Sequence, residues 1–522
     1  MSLCPKMIDL CISAPNIFEA ISTIVQRSLA SGIVPNDLKT SKVIPLGKVK
    51  NPIGPNQLRP IAIQPVLSKL IERCVYFRLI KFINENQVLS DRQFGFRKKH
   101  STVHAQLALT DYFYSELDKD LICILISLDL SKAFDKVLRE LLFHKFGWYN
   151  IDLHWFKSYL KNRSQFVSVN GEVSDVKSTN IGVAQGSVLG PILFALLIND
   201  LPAHLHGAFS VLFADDTQFS LAGSPKDIPE LLSRVKQCLF TVLNWMESNH
   251  LQLNLEKTKM VVIGKPHVVK SVGKLEIQVR DMKISSSESC ECLGLIIDSE
   301  LSWTNHVSRL TRNCNSVIWS LYPMQTLISQ TNRKLLLDSY LMSKIRYMCP
   351  LWGVGSSKIR KKVDICVRNA GRFVLGLRKY DTVKHLITID LRWLFSNYMC
   401  DYETLKLAFD IYSGQGPPYF QDYLNLNDND NNVMRTRNGT YLQPCSRQSS
   451  KSFQYRAKQL WLNLPDEHRN TDSRNSFKSS IFNLLIQKQS ADSLPIPDVD
   501  CCDFSCIESA IINAMLYECV EP

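Results

Sequence analysis

A continuous apolar run rich in β-branched residues, "LICILISLDL" at 121–130, stands out in the first third of the chain. A run of this kind predicts a strand that is buried on both faces of a sheet, and here the strand ends at Asp129. Farther along, alternating apolar and polar positions flank the pair Asn170-Gly171. That pair between alternating residues predicts a β-hairpin.

Apolar residues at helical spacing predict helices between and after these strands. The predicted helices are 16–35 closed by Gly32, 66–84, 103–118, a helix with Phe134, Leu138, Leu141 and Leu142 on one face, 187–199 and 229–247. A basic hairpin is expected around the Pro, Gly and Asn residues of 41–63. Strands interleaved with helices indicate an α+β unit over about 40–297, followed by a mostly helical, basic region. The Asn/Asp-rich stretch 425–439 predicts a boundary in that region.

Two adjacent acids, Asp215 and Asp216, lie at the turn of a second predicted hairpin, whose apolar face carries Phe209, Val211 and Phe213. If their strands neighbour the strand of Asp129, three carboxylates meet at one end of a sheet. Such a cluster is stable only when cations neutralise it, and hard divalent ions prefer oxygen ligands. Two such ions suit an in-line phosphoryl transfer. A hairpin turn with solvated acids is the alternative, and the pair alone does not exclude it.

The charge distribution favours a polyanionic partner. The 522 residues carry 61 Lys and Arg against 49 Asp and Glu. Seven of those acids and no Lys or Arg lie from Ser490 onward, which leaves 42 acids and an excess of 19 positive charges over 1–489. This balance suits nucleic acid, although a basic protein without such a partner fits it equally.

The 16 cysteines are scattered, with no signal peptide and no spacing typical of zinc ligands, so reduced intracellular thiols are expected. The longest apolar stretch, 188–198, is too short to span a bilayer and contains Pro191. We therefore predict no membrane segment.

The order of several longer segments resembles the reverse transcriptases of non-LTR (LINE-type) retrotransposons of the jockey-like kind. The palm motifs of that family are similar to "SLDLSKAFDKV" (127–137), "GVAQGSVLGPILFALLINDL" (182–201), "FADDT" (213–217), "LNLEKTKMVV" (253–262) and "CLGLIID" (292–298). The finger segments are similar to "VIPLGK", "NQLRPIAIQPVLSKLIER" and "QFGFRKKHST", and the later segments to "LSWTNHV" and "WLNLPDEHRNTDSRNSFKSSI". The resemblance covers about residues 20–485.

The resemblance implies an α+β right-hand polymerase fold, with fingers, a palm built on an antiparallel sheet, a helical thumb and a mostly helical C-terminal region. It also implies two Mg²⁺ ions, or Mn²⁺, held by Asp129, Asp215 and Asp216. Lys257 would protonate or steer the leaving pyrophosphate, although Lys259 is close enough in sequence to leave that assignment open.

The binding of the incoming dNTP is implied for five further residues. Lys48 and Arg59 would contact the triphosphate, where a guanidinium can grip phosphate oxygens through two parallel bonds. Gln185 and Gly186 would approach the nascent base pair, Gly186 because a side chain there would block the nucleotide; a simple turn before a helix is the alternative. Phe134 would exclude a ribose 2′-hydroxyl, although it also fits the apolar stripe of a helix.

The expected division of the chain follows from the same resemblance. It gives a truncated N-terminal lead-in helix (1–27), fingers and palm (28–297), a helical thumb (298–380), a C-terminal helical and basic region (381–489) and an acidic tail (490–522). The basic clusters 96–100 and 358–362 would contact nucleic acid, or would be solvated helix faces. Full-length relatives carry an endonuclease before the polymerase, so we expect that activity to be supplied in trans.

The implied function is an RNA-directed DNA polymerase that extends a primer 3′-hydroxyl with dNTPs on an RNA template. An inactive or RNA-binding remnant of a 5′-truncated element is the alternative. An RNA-dependent RNA polymerase is a third hypothesis, which Phe134 and the Gln185-Gly186 segment oppose. The expected partners are the RNA template, the DNA primer, dNTPs and an element-encoded RNA-binding protein. The expected location is intracellular, in a cytoplasmic ribonucleoprotein or the nucleus.

Overall fold

The computed structural model describes residues 15–421, 433–436, 439–442, 448–471 and 473–492. Its strands are β1 Thr40–Gly47, β2 Leu58–Ile63, β3 Ile122–Leu128, β4 Arg163–Val169, β5 Glu172–Val173, β6 Lys177–Thr179, β7 Phe209–Phe213, β8 Asp216–Gly223, β9 Lys259–Ile263, β10 Glu276–Val279, β11 Met282–Ser285, β12 Ser289–Cys292, β13 Leu295–Asp298, β14 Val433–Thr436 and β15 Gly439–Leu442.

The helices of the first 300 residues are α1 Pro15–Ser31, α2 Val66–Glu85, α3 Thr102–Asp118, α4 Arg139–Trp148, α5 His154–Leu160, α6 Gly190–Leu197, α7 Ile228–Ser248 and α8 Pro266–Val272. The later helices are α9 Thr304–Leu321, α10 Gln330–Leu337, α11 Ser343–Arg346, α12 Cys349–Trp352, α13 Ser357–Leu375, α14 Lys384–Ile389, α15 Ser396–Tyr412, α16 Phe453–Leu462, α17 Asp466–Arg469 and α18 Arg474–Ala491. The α+β class predicted from the sequence is thereby confirmed, with most strands before residue 300 and mainly helices after it.

A four-stranded antiparallel sheet in the order β7-β8-β3-β9 forms the centre of the molecule. Its middle strand, β3, is buried on both faces because successive side chains point to opposite sides. The side chains of Ile124 and Ile126 join a core that includes α4, α6 and α7, whereas Cys123 and Leu125 join a core shared with α3 and the C-terminal helices. The two-sided burial explains why the sequence of β3 is continuously apolar.

A second, mixed sheet contains the predicted basic hairpin. Strands β1 and β2 pair antiparallel, and β1 also runs parallel to β4. Strand β4 pairs with β5 across the turn at Asn170 and Gly171, both of which have positive φ, as the sequence predicted. The sheet thus brings the hairpin of residues 40–63 beside the segment that leads to Gln185.

The C-terminal helices pack onto the central sheet through α3. Asp111 on α3 is buried, and its carboxylate accepts hydrogen bonds from the backbone N–H groups of Phe453 (2.7 Å) and Gln454 (3.1 Å) at the start of α16. These bonds satisfy donors that a helix start leaves without an intrahelical partner. The region after residue 300 is therefore attached to α3 by a polar contact as well as by apolar packing.

Several sequence expectations need adjustment or fall outside the described residues. The helix expected at 187–199 spans only Gly190–Leu197, and the first helix ends at Ser31, where Gly32 adopts a left-handed φ of +67°. The boundary at 425–439 and the acidic tail lie largely outside the described residues. The nine described cysteines are all unpaired, and no described helix is both long and apolar enough to cross a membrane.

Candidate active site

The carboxylates at the end of the central sheet occupy the positions that the sequence predicted. Asp129 follows the last residue of β3, while β7 and β8 are joined by a tight turn at Ala214 and Asp215, with Phe213 paired to Asp216. Leu128 pairs with Thr217 as the last pair of the ladder, so Asp129 and Asp216, the next residue on each side, both lie at this end of the sheet. The backbone register therefore brings three acids to one end of one sheet.

These acids influence each other electrostatically. Burial raises the pKa of Asp215, and the neighbouring charge of Asp129 raises it further. Burial, together with the charges of Asp215 and Asp129, raises the pKa of Asp216 to about 6. Arg59 and Lys257 act in the opposite direction on Asp215, and the Lys257 Nζ lies 3.3 Å from Asp129 Oδ2. A cation at this end of the sheet would be stabilised by the same charges that repel one another.

A cavity of about 810 Å³ opens beside these acids and collects most of the residues predicted to form the site. The residues predicted to bind substrate or metal that line it are Lys48, Arg59, Asp129, Phe134, Gln185, Asp215 and Lys257. Apolar side chains complete the walls, among them Val43 of β1 and Val167 of β4. The cavity therefore combines basic side chains of the hairpin, acids at the end of the sheet with Lys257 beside Asp129, and apolar side chains.

The two lysines considered for the contact with pyrophosphate, Lys257 and Lys259, differ in their position relative to the cavity. Lys257 lies in the turn before β9, lines the cavity and pairs with Asp129. Lys259 is the first residue of β9, pairs with Ser127 in the strand ladder and does not line this cavity. The geometry thus favours Lys257 for any contact with substrate.

Gly186 has a steric role that differs from the one expected. Its φ is +118°, and a Cβ at this position would lie 2.6 Å from the carbonyl oxygen of Ala62 in β2. The backbone of this turn is bound to the same strand, because Ala62 N donates to the carbonyl of Gln185 at 2.7 Å. Glycine is required here by close packing against β2, whether or not a nucleotide binds nearby.

The single helix predicted around Phe134 is wrong. Ala133–Lys136 form a 3₁₀ turn, Val137 and Leu138 are extended, and α4 begins only at Arg139. The break coincides with backbone hydrogen bonds from the segment that leads to Gln185: Gly182 N donates to the carbonyl of Val137 (2.8 Å) and Val183 N to that of Phe134 (2.9 Å). Phe134 therefore belongs to the wall of the cavity and not to an amphipathic helix stripe.

The ring of Phe134 is held in place by other aromatic side chains. It stacks on Phe194 of α6 with ring centroids 4.8 Å apart, and Phe96 meets it edge-on at 6.5 Å. One side of the ring packs in the core while the residue also lines the cavity. This support fixes the position of a bulky group next to Asp129.

Sequence reasoning missed Lys132 and Asp135, both of which line the cavity. Asp135 Oδ1 accepts a 2.9 Å hydrogen bond from Gln185 Nε2 and so orients that amide. Lys132 and Asp135 belong to the "SKAFDKV" segment that carries Phe134. Their charged side chains, close in sequence to a candidate substrate-binding aromatic residue, were the signal that could have identified them.

The two basic clusters are used differently. In the first, Arg97 donates to the carbonyl of Ser90 at 2.8 Å, Lys99 donates to that of Gly414 at 2.5 Å, and burial lowers the pKa of His100 to about 4. In the second, which lies on α13, the side chains of Lys361 and Lys362 are exposed. The first cluster thus mainly holds a loop together, while the second keeps exposed charge.

The donor set at the sheet end fits hard divalent cations but does not enclose one. Within the described ranges, no three Asp, Glu, His or Cys side chains are grouped closely enough to hold a metal ion on their own. Mg²⁺ sites commonly combine one or two carboxylates with phosphate oxygens of the substrate and water. Asp129 and Asp215, which line the cavity, and the adjoining Asp216 match that incomplete kind of site.

Comparison with known proteins finds matches over part of the chain. Residues 47–297 match the family model of reverse transcriptase (RNA-dependent DNA polymerase). The chain is 27% identical over 366 residues to a probable RNA-directed DNA polymerase from transposon BS of Drosophila melanogaster, covering 66% of this chain and 39% of that protein. It is 24% identical over 374 residues to the RNA-directed DNA polymerase from mobile element jockey of the same species, covering 69% and 40%. The chain thus spans about two fifths of the length of these relatives.

Among solved structures, the chain is similar to telomerase from Candida Tropicalis. The apo form aligns with a TM-score of 0.37 at 13% identity, covering 74% of this chain and 67% of that one. The complex with the TWJ fragment of telomeric RNA aligns with a TM-score of 0.37 at 12% identity, covering 93% and 66%.

Proposed function

We propose that this chain is an RNA-directed DNA polymerase of a non-LTR, jockey-like retrotransposon, because residues 47–297 match the family model of reverse transcriptase. It would extend a primer 3′-hydroxyl with dNTPs on an RNA template. The observation that carries the proposal is a cavity that Asp129 and Asp215 line together with Lys48 and Arg59. The carboxylates would bind metal ions, and Lys48 and Arg59 would bind phosphate oxygens in the same cavity.

The reverse transcriptase family generally uses divalent metal ions, and we propose Mg²⁺ or Mn²⁺ for this chain. Asp129, Asp215 and Asp216 would hold two ions, and phosphate oxygens of the substrate would complete their coordination. Bound ions of this kind activate an attacking hydroxyl and stabilise the charge on the leaving pyrophosphate.

The chain's own side chains would bind and orient the nucleotide. Arg59 and Lys48 approach from the hairpin side, where they can bind the triphosphate. Lys257, already 3.3 Å from Asp129, can reach the oxygen that leaves with pyrophosphate. Phe134, fixed by Phe194, would exclude a ribose 2′-hydroxyl and so favour dNTPs.

The remaining expectations extend the same proposal. The α9–α13 region within 298–380 would act as a thumb over the template and primer, with Lys361 and Lys362 near the phosphate backbone. The protein would act in a cytoplasmic ribonucleoprotein or in the nucleus, bound to its template RNA.

The test is primer extension by the purified chain on poly(rA)/oligo(dT) with dTTP and Mg²⁺. The double substitution Asp215→Asn, Asp216→Asn should lower the rate on the order of a thousandfold, equivalent to about 4 kcal/mol in the barrier. The matched control is Asp281→Asn, which changes an exposed acid in the turn between β10 and β11 and should leave the rate unchanged.

Three outcomes would contradict parts of the proposal. If the wild-type chain incorporates no dTTP but binds RNA, the chain is an RNA-binding remnant. If UTP is incorporated as readily as dTTP, the role of Phe134 is wrong and an RNA polymerase is favoured. If the double variant retains full activity, the assignment of the carboxylates is wrong.

A further inference from the structure

Glu72, in the middle of α2, is a buried carboxylate that contacts the turn carrying Gln185. Its side chain is 1% exposed, and Oε2 accepts hydrogen bonds from Val188 N (2.8 Å) and Leu189 N (3.2 Å). These N–H groups stand at the start of α6, where a helix leaves its first donors without intrahelical partners. One carboxylate therefore connects α2 to the residues that directly follow Gln185 and Gly186.

The carboxylate is retained although burial penalises its charge. Burial raises the pKa of Glu72, and the two backbone N–H groups offset part of that effect. No Lys or Arg forms an ion pair with it within 4.0 Å in the part of the chain that the structure describes, although the charge of Arg163 acts on it from farther away. An apolar side chain at this position would avoid the desolvation cost, but it would leave two donors unsatisfied.

The turn next to Glu72 is fixed at its other end by β2. Ala62 N donates to the carbonyl of Gln185 at 2.7 Å, and the absence of a Cβ at Gly186 allows the close approach to Ala62. Asp135 then orients the Gln185 amide from the side of the cavity. With Glu72 at the helix end, the turn is held at both ends, and Gln185 is presented to the cavity between them.

The contact at Asp111 provides a comparison within the same molecule. Asp111 is also buried and also accepts from two successive backbone N–H groups at a helix start. The helix that it binds, α16, contributes no residue to the wall of the cavity. Two carboxylates of the same local chemistry therefore differ in whether the bound helix start adjoins the cavity.

We infer that Glu72 is a positioning residue of the polymerase site: by binding the N–H groups of Val188 and Leu189, it sets the turn that presents Gln185 to the incoming nucleotide. The inference rests on the proposed function for its effect on nucleotides, but the effect on the turn itself is independent of activity. Loss of the contact should free the turn and weaken nucleotide binding more than it slows chemistry.

The kinetic test compares Glu72→Ala, Glu72→Gln and Asp111→Ala in single-nucleotide incorporation of dTTP. Glu72→Ala should raise KM on the order of tenfold with kcat within about threefold of wild type. Glu72→Gln keeps an oxygen that accepts from both N–H groups, so its KM should stay within about threefold. Asp111→Ala should lower the melting temperature without changing KM.

Hydrogen exchange gives a second readout that does not need activity. Amides in the segment 183–190 should exchange on the order of tenfold faster in Glu72→Ala than in wild type, and at wild-type rates in Glu72→Gln and Asp111→Ala. An inactive wild-type chain would overturn the proposed function while this measurement still decided the role of Glu72.

The inference is overturned if Glu72→Ala leaves both KM and exchange at 183–190 unchanged, or if Asp111→Ala changes them equally. Should Glu72→Ala fail to fold, the Glu72→Gln variant remains decisive. If KM and exchange in Glu72→Gln rise as much as expected for Glu72→Ala, an oxygen acceptor at this position is insufficient. The hydrogen bonds to Val188 and Leu189 would then not be what positions the turn.

Discussion

Asp216 at the turn between β7 and β8 is partly buried, and Asp111, which contacts the start of α16, is buried, but different groups surround the two carboxylates. At the turn, Asp216 has a pKa raised to about 6 by burial and by the like charges of Asp215 and Asp129. At α16, Asp111 has a pKa raised to about 7 by burial, while two backbone N–H groups lower it. Asp216 thus has other acids around it beside a cavity, whereas Asp111 has hydrogen-bond donors of the protein backbone.

This difference distinguishes Asp111, whose carboxylate stabilises the fold, from the acids at the end of the sheet, which we propose bind cations. Asp111 has its hydrogen-bond partners within the chain, so these bonds already contribute to the stability of the folded state. Asp129, Asp215 and Asp216 repel one another, and the cations that we propose for this site would convert that repulsion into favourable interaction energy. Substitutions should therefore affect stability in one region and activity in the other.

The largest expected contrast is between Asp129→Ala and Asp111→Ala. Asp129→Ala should lower the extension rate on the order of a thousandfold. It should change the free energy of unfolding by less than about 1 kcal/mol, because its exposed pair with Lys257 contributes little and a repulsion is removed. Asp111→Ala should cost about 1–3 kcal/mol of stability, because it leaves two N–H groups without an acceptor, at an unchanged rate per folded molecule. Urea unfolding and extension kinetics measure both effects, and a large loss of stability in Asp129→Ala would contradict the distinction.

The second prediction concerns pH and Asp111. A folded-state pKa of about 7, above the ordinary value of 3.8, means that the folded chain favours the protonated acid. Its stabilising contribution is complete below pH 4 and is lost as pH rises through 7, amounting to about 3 kcal/mol between pH 5 and 8. The difference in unfolding free energy between wild type and Asp111→Asn should change by that amount over this range. A constant difference would show that Asp111 is ionised throughout.

Buried histidines make the comparison with Asp111→Asn necessary. Burial lowers the pKa of His100, His104 and His306 to about 4, so these groups are neutral in the fold. Their contribution to stability has the opposite sign, since it is present above pH 6.5 and is lost as pH falls through 4. The wild-type profile alone therefore mixes the two effects, whereas the variant isolates Asp111.

The same two regions show how far sequence reasoning could reach. The strand β3 was predictable because both of its faces are buried, which leaves a continuous apolar run ending at Asp129. The hairpin of Asp215 and Asp216 was predictable from local alternation. Short-range patterns suffice for these acids, since their positions follow from the ends of single strands.

Contacts between segments that are far apart in the sequence could not be predicted from such short-range patterns. Glu72 precedes Arg73 in a helix whose spacing is unremarkable, and its partner Val188 lies 116 residues away. The extended backbone after Phe134 is imposed by hydrogen bonds from Gly182 and Val183, which override the helical spacing of Leu138 and Leu141. Backbone groups carry no signature in the sequence, so the anchors of the site were missed while its acids were found.

The smallest expected effect concerns the one lysine that the structure pairs with a sheet-end acid, Lys257. Its side chain is 66% exposed, so its ion pair with Asp129 contributes little to stability, and it can move to a bound ligand. Lys257→Ala removes an exposed charge that contributes at most about 1 kcal/mol, so it should lower kcat by up to about fivefold and leave the melting temperature unchanged. Lys259→Ala, two residues away on β9, should change neither. Equal effects of the two substitutions on kcat would mean that general positive charge, and not the position of Lys257 beside Asp129, assists the reaction.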